Sequence, residues 1–132
     1  MPETTAWIAI VDDDAAVRKG LARLLRASSF EAQTFESGMA FLDSLRLRTP
    51  DCLILDLQMP EMTGLQLQHQ LARSKVEIPT IIITAHDEAG ARQRCEEAGA
   101  AAYLLKPLQP AALVAAIKAV IGRGLQFRET TN

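Results

Sequence analysis

The chain has 132 residues, with 14 Lys and Arg against 16 Asp and Glu and a formal net charge of −2. This length fits one domain with one hydrophobic core, and a hydrophobic content of 48% excludes disorder as the main state. The near-neutral charge offers no basic surface for a phosphate backbone, so we expect no nucleic acid bound by this domain itself. Cys52 and Cys95 form no CxxC pair, which argues against a disulfide framework and a zinc site.

The sequence contains neither a targeting segment nor a membrane span. Met1–Thr5 is not a basic region followed by a long apolar stretch, and nowhere do about 18 consecutive apolar residues occur. We therefore expect a cytoplasmic protein that does not associate with a membrane.

The first half of the chain alternates short apolar runs with helical patterns. A predicted strand over Trp7–Val11 stops at three aspartates, and Ala15–Ala27 carries apolar residues at helical spacing. Phe30–Phe35 alternates weakly, which is typical of a strand at the edge of a sheet. Ser37 is placed to cap the next helix.

The middle of the chain repeats this alternation. Cys52–Leu55 and Thr80–Thr84 are continuous apolar runs, which are typical of strands covered on both faces. A helix is predicted between them over Leu65–Ser74, and another after them over Glu88–Ala98. Gly99 would end that last helix in a left-handed cap.

The last predicted elements are a short strand over Ala102–Leu105 and a helix that starts at Pro110 and carries an apolar stripe to Ile121. Five strands alternate strictly with five helices, so the sequence predicts an α/β fold with helices on both faces of a parallel sheet. In such a sheet, ligands bind beyond the carboxyl ends of the strands. The residues at four of these ends carry reactive groups: Asp12, Asp13 and Asp14, then Asp56, Thr84 and Lys106.

These groups favour phosphoryl chemistry with a hard cation. Clustered carboxylates repel each other by about 4 kcal/mol per pair at 4 Å and an effective dielectric of 20, so they must shift their pKa values or bind a cation. Oxygen ligands of this kind suit magnesium. The Lys106 ammonium and the Thr84 hydroxyl suit phosphoryl oxygens. Asp14 is assigned to cap the following helix, and one such residue alone would be structural in most proteins; their joint occurrence favours a functional site.

The combination of motifs resembles the receiver domain of bacterial response regulators. The resemblance runs from about Trp7 to Ile121, and the details around Phe35–Leu42 and Gly64–Gln68 are most similar to the FixJ-type subgroup. The motifs that carry it are Ile10-Val11-Asp12-Asp13-Asp14, Leu55-Asp56-Leu57-Gln58-Met59-Pro60 with Gly64, Ile83-Thr84-Ala85 and Leu105-Lys106-Pro107.

The resemblance implies a flavodoxin-like (βα)5 three-layer sandwich with a parallel sheet in the strand order 2-1-3-4-5. The receiver domain would cover residues 6–122. Residues 123–132 would be a tail or the start of a linker to an output domain that the sequence lacks; FixJ-type proteins carry a helix-turn-helix domain there. The alternative is a stand-alone receiver in a phosphorelay or in protein–protein signalling.

The resemblance also assigns the phosphoryl and metal chemistry. Asp56 matches the phosphoacceptor. Asp13 matches the direct Mg²⁺ ligand, Asp12 acts mostly through water, and Asp56 and the backbone carbonyl of Gln58 complete the protein ligands. The strand that ends at Val11 sets the register of this acid pair.

Further residues match the parts that respond to the phosphoryl group. Lys106 matches the lysine that pairs with the phosphate, and Thr84 the hydroxyl that follows it. Tyr103 matches an aromatic residue that changes rotamer on activation. Gln58 and His86 stand where side chains flank the path of the hydrolytic water, so they are expected to set the lifetime of the phosphate.

The predicted function is a phosphorylation-activated switch that controls an output, with transcription as the expected one. A sensor histidine kinase or a phosphotransfer protein would be the phosphodonor, and the domain would catalyse only its own phosphorylation and dephosphorylation. Phosphorylation would change the face of the fourth helix, fifth strand and fifth helix. It would also favour a homodimer through outward positions of the last helix, which are Ala112, Ala115, Lys118 and Ala119.

Two other classes of protein use related strand-end chemistry. An aspartyl-phosphatase of the haloacid dehalogenase type needs a second acid two residues after its nucleophile, where this chain has Gln58. A flavodoxin needs a phosphate loop rich in Ser, Thr and Gly after the first strand, where Asp12–Asp14 would repel a phosphate. Both alternatives are therefore disfavoured.

Overall fold

A computed structural model describes the backbone of residues 5–130 and the side chains of residues 5–122. Strands and helices alternate through the whole of it. Their bounds are β1 Trp7–Val11, α1 Ala15–Ala27, β2 Glu31–Phe35, α2 Gly38–Ser44, β3 Cys52–Asp56, α3 Gly64–Arg73, β4 Thr80–Thr84, α4 Ala91–Glu97, β5 Ala102–Leu105 and α5 Pro110–Thr130. Within the described residues, no helix is long and apolar enough to cross a membrane.

The sheet is parallel, with the strand order β2-β1-β3-β4-β5, which confirms the predicted flavodoxin-like topology. Every residue of β1, β3 and β4 is buried, whereas β2 at the edge has three exposed and two buried residues. This difference explains why the inner strands have continuous apolar sequences and the edge strand does not. The order also makes β3 a neighbour of both β1 and β4, so that their carboxyl ends lie together.

Two hydrophobic cores lie on opposite faces of the sheet. On one face, Phe41 of α2 and Leu67 of α3 pack with alternate strand residues and with Cys95 of α4. On the other, Leu25 of α1 and Leu113 of α5 pack with the remaining strand residues. Helices therefore cover both faces, which gives three layers and leaves the strand ends free for the site.

Two of the five helices start with the caps that the sequence predicts. The Asp14 side chain accepts hydrogen bonds from the backbone of α1, and Ser37 accepts one from Ala40 at the start of α2. Thr63 and Gln66 form a reciprocal capping box at the start of α3, which the sequence analysis did not predict.

The fourth helix starts later than predicted. It begins at Ala91 rather than Glu88, because Gly90 adopts a positive φ of 80° and interrupts the helical backbone. Its predicted end is confirmed: Gly99 has φ 105°, and the amides of Gly99 and Ala100 bond back to the helix in a Schellman arrangement.

The last helix continues past its predicted end near Ile121 and runs to Thr130. A glycine within a helix lowers its stability but does not prevent it, so Gly122 and Gly124 do not end α5. The backbone of most of the predicted tail, residues 123–132, is thus helical, and its last two residues lie outside the described part. Its role as a linker stays a prediction.

Candidate functional site

An acidic cluster lies at the carboxyl ends of two adjacent strands. Asp12 follows β1 and is fully buried, and Asp56 ends β3 with 4% of its surface exposed. Asp13 is exposed beside them. Carboxylate oxygens of these three residues lie within 4.8 Å of one another, so the structure brings together the acids that the sequence placed at one sheet edge.

Lys106 provides a positive charge at the cluster. Its Nζ lies 2.9 Å from Oδ2 of Asp12 and 3.7 Å from Oδ1 of Asp56. Burial alone would lower the pKa of this ammonium, but the hydrogen bond to Asp12 and the charges of Asp56 and Asp12 outweigh burial and raise it. The lysine is therefore fully charged at neutral pH.

The surroundings of the Asp56 carboxyl disfavour its ionised form. Burial, followed by the charge of Asp12, raises its pKa from 3.8 to about 6, although Lys106 and the Gln58 amide oppose that shift. A carboxylate with this pKa is mostly ionised at neutral pH and repelled by its neighbours. A cation between the three acids would relieve that repulsion, and the all-oxygen donor set fits Mg²⁺.

The raised pKa of Asp56 predicts the pH dependence of folding in magnesium-free buffer. The folded state binds this proton more tightly than the unfolded state, so the free energy of unfolding should fall as pH rises from about 4 to about 6. A shift from 3.8 to about 6 corresponds to up to about 3 kcal/mol. Urea unfolding of the parent and of Asp56→Asn at pH 4 and pH 7 measures it. We expect Asp56→Asn to be more stable than the parent at pH 7. If the difference in unfolding free energy between the two proteins is the same at pH 4 and pH 7, the raised pKa of Asp56 is contradicted.

Hydrogen bonds fix Asp12 from two sides. Its Oδ1 accepts from the Asp14 amide at 2.9 Å, and its backbone oxygen accepts from the Arg18 guanidinium at 2.7 Å. This contact of Arg18 was not predicted, because a basic residue on a helix face is usually solvated.

The loop between β3 and α3 folds back tightly onto the end of β3. The Gly64 amide donates to the Leu57 oxygen at 2.9 Å, and a Cβ on Gly64 would lie only 2.5 Å from the Asp56 backbone oxygen. Glycine is therefore required at this position. The backbone amide of Gln58 lies 3.4 Å from Oδ1 of Asp56, so Gln58 is next to the acidic cluster.

Thr84, at the end of β4, is engaged with its own loop. Its Oγ1 accepts from the His86 amide and donates to the His86 carbonyl, both at 3.1 Å. His86 is exposed in the loop between β4 and α4. Thr84 is thus at the predicted sheet edge, and its only hydroxyl proton is used within the loop.

Tyr103 on β5 is buried and clamped by two residues that the sequence analysis did not single out. Its hydroxyl donates to Oδ1 of Asp87 at 3.2 Å, and the Arg92 guanidinium lies 4.7 Å from the centre of its ring. Burial and the hydrogen bond to Asp87 raise the pKa of Tyr103, so the phenol remains a donor at neutral pH.

The Gln58 side chain contacts the neighbouring loop. Its Nε2 donates to Oε1 of Glu88 at 3.1 Å. Three consecutive residues of the β4–α4 loop therefore form hydrogen bonds with three different residues: His86 with Thr84, Asp87 with Tyr103 and Glu88 with Gln58. No sequence signal marked Asp87 or Glu88, because charged loop residues are common.

Comparison with known proteins agrees with this geometry. Residues 8–118 match the model of the response regulator receiver domain. The chain is 37% identical over 132 residues to the DNA-binding transcriptional regulator NtrC of Klebsiella pneumoniae, covering 100% of this chain and 28% of NtrC. It is 36% identical over 128 residues to the response regulator protein TodT of Pseudomonas putida, covering 97% of this chain and 56% of TodT. The chain thus spans only about a quarter to a half of these relatives.

Solved structures give the same result. The crystal structure of FixJ-N has a TM-score of 0.84 at 32% identity, covering 91% of this chain and 96% of that one. The structure of the response regulator StyR has a TM-score of 0.81 at 38% identity, covering 97% of this chain and 66% of StyR.

An α/β sandwich with an acidic cluster and a lysine at its strand ends suits phosphoryl chemistry with a bound cation. The chain belongs to the response regulator receiver domain family. Receiver domains are signalling switches that phosphorylation activates, and domains of this family interact with histidine kinases or phosphotransfer proteins.

Proposed function

We propose that Asp56 is the phosphoacceptor of this domain and that Asp12, Asp13, Thr84 and Lys106 serve its phosphorylation. The observation that carries the proposal is the acidic cluster within 4.8 Å, with the Lys106 ammonium between Asp12 and Asp56. In this arrangement one carboxylate can attack phosphorus, while the Lys106 ammonium and a cation held by the other carboxylates would neutralise the phosphoryl oxygens.

Phosphoryl transfer would proceed in line at Asp56. Its ionised oxygen attacks phosphorus, the phosphorus–nitrogen bond of a phosphohistidine breaks, and the bonding electron pair stays on the imidazole nitrogen. Lys106 holds a phosphoryl oxygen by its fixed positive charge. The domain thus catalyses its own phosphorylation, and it later returns the phosphoryl group to water.

Asp12, Asp13, Asp56 and the Gln58 carbonyl would hold Mg²⁺. The bound ion would supply charge neutralisation for the phosphoryl oxygens and for the crowded carboxylates. Asp12 is buried and held by Arg18 and Asp14, which suits a residue that orients water more than it binds directly.

We further propose that Thr84 and Tyr103 transmit the signal. Phosphorylation adds a charge of about −2 at Asp56. Thr84 has one hydroxyl proton, so donating it to a phosphoryl oxygen requires release of the His86 carbonyl. That movement frees space for Tyr103 and changes the face of α4, β5 and α5 as a population shift.

The setting of this switch is proposed from its relatives. We infer a cytoplasmic protein of the FixJ-type subgroup whose output is transcription; NtrC is a DNA-binding transcriptional regulator, and FixJ-N is similar at 32% identity. Gln58 would orient the hydrolytic water, and exposed His86 would shield the site. Residues 123–132 would lead to an output domain.

The direct test is phosphoryl uptake by the purified chain. Incubation with a small phosphodonor and Mg²⁺ should add one phosphoryl group per chain, measured by intact mass, and chelation of the metal should prevent it. A chain that stays unmodified under these conditions would contradict the proposed function.

Self-association is a separate expected outcome. The outward positions of α5 are exposed and mostly small, which permits close helix approach, and we expect phosphorylation to favour a homodimer through them. Sedimentation of the phosphorylated and unmodified protein at tens of micromolar measures it. A monomer in both states would rule the dimer out. The positions are Ala112, Ala115, Lys118 and Ala119.

A further inference from the structure

The hydrogen bond between Gln58 and Glu88 joins the two loops that border the acidic cluster. Gln58 follows β3 and is half-buried, and Glu88 lies in the exposed loop after β4. Their side chains meet at 3.1 Å between Nε2 and Oε1. This contact connects the residue next to Asp56 with a loop that also carries His86 and Asp87.

We propose that Glu88 is a positioning residue for the hydrolysis of phosphorylated Asp56, because it fixes the orientation of the Gln58 amide. The proposal rests on the proposed function, since it needs a phosphoryl group on Asp56. Glu88 would act through Gln58, and its effect would fall on hydrolysis of phosphorylated Asp56 and not on phosphoryl uptake.

The chemistry of the two groups determines which end of the Gln58 amide faces Glu88. An ionised carboxylate can only accept hydrogen bonds, so Glu88 selects the Nε2 end and leaves Oε1 of Gln58 as an acceptor. Hydrolysis needs a water whose oxygen attacks phosphorus in line with the bond to Asp56. An acceptor that takes one hydrogen of this water turns a lone pair towards phosphorus.

Surrounding contacts hold the Gln58 end of this bridge in place, and the Glu88 end belongs to the loop after β4. On one side, the backbone of Gln58 is fixed by two contacts. Gly64 packs against the Asp56 backbone, and the Gln58 backbone amide lies 3.4 Å from Oδ1 of Asp56. On the other, Glu88 follows Asp87, which accepts a hydrogen bond from Tyr103 in the unphosphorylated domain. The side-chain amide of Gln58 is therefore fixed relative to Asp56 as long as Glu88 accepts its hydrogen bond.

The hydrolytic step balances without a further reactant. Water adds its oxygen to phosphorus, the bond between phosphorus and the Asp56 oxygen breaks, and the electron pair returns to the carboxylate. The proton of the water leaves with inorganic phosphate or passes to solvent. Glu88 takes no proton in this step, so its role depends only on accepting the hydrogen bond from Nε2 of Gln58.

The test is the decay of phosphorylated protein, followed by intact mass after removal of the phosphodonor. Glu88→Ala and Gln58→Ala should each slow decay by about threefold to tenfold, the range for loss of one orienting hydrogen bond. The double variant should be no slower than the slower single variant, since both changes remove the same arrangement. Glu88→Gln keeps an acceptor for Nε2 but adds a donor that can hold the opposite end of the Gln58 side chain, so its decay rate should lie between those of the parent and Glu88→Ala.

A matched control separates positioning from loss of surface charge. Glu96 is an exposed acid on α4, and Glu96→Ala should decay within twofold of the parent. If Glu88→Ala also decays within twofold, or if Glu88→Gln decays as slowly as Glu88→Ala, the positioning role is overturned. In both cases normal phosphoryl uptake leaves the proposed function intact. A parent chain that takes up no phosphoryl group overturns both.

Discussion

Asp56→Asn should take up no phosphoryl group under conditions in which the parent gains one per chain. The carboxamide lacks the anionic oxygen that attacks phosphorus. Asp12, the other carboxylate in contact with Lys106, is fully buried and already accepts a hydrogen bond from the Asp14 amide. Intact mass after incubation with a small phosphodonor and Mg²⁺ measures the difference. We expect essentially complete loss.

The control for this variant is Asp43→Asn. Asp43 is an exposed acid on α2, so the variant makes the same chemical change away from the site and should be phosphorylated as the parent is. Stoichiometric labelling that persists in Asp56→Asn would refute Asp56 as the phosphoacceptor and transfer the assignment to another residue of the cluster.

Asp13→Ala should weaken magnesium binding by at least about tenfold, because it removes a full ligand charge from the site. Isothermal titration calorimetry is the appropriate measurement. Trp7 is buried at the start of β1, at the opposite end of that strand from Asp12, so its fluorescence is a poor reporter of the ion.

The neighbouring acid provides a close control for this measurement. Asp14 caps α1 through its side chain, and Asp14→Ser keeps a capping oxygen while it removes one negative charge near the cluster. We expect Asp14→Ser to bind magnesium close to the parent affinity. If Asp13→Ala binds as well as Asp14→Ser, the metal lies elsewhere or the register of the acid pair is wrong.

The fold and the clustering of the site were predictable because both depend on backbone periodicity. Continuous burial in β3 and β4 makes their sequences continuously apolar, and the parallel arrangement then brings Asp56 and Thr84 to one edge. The predicted end of β1 at Val11 is confirmed, and after it Asp12 is buried and Asp13 exposed.

The contacts of the loop side chains were not predictable from the sequence. The partners of Gln58 and Tyr103 are acids in an exposed loop, and their pairing depends on how Gly90 delays the start of α4. Periodicity carries no information about such residues. The continuation of α5 past Gly122 was missed for a related reason, because a single glycine weakens a helix without ending it.

The adjacency of Asp87 and Glu88 constrains how this domain can change by mutation. Asp87 bonds Tyr103, which is proposed to transmit the signal, and Glu88 bonds Gln58, which is proposed to set the lifetime of the phosphoryl group. A deletion or insertion of one residue in this loop would displace both partners together. Signal strength and signal duration are therefore expected to vary jointly when the loop changes length, and separately only through point substitutions.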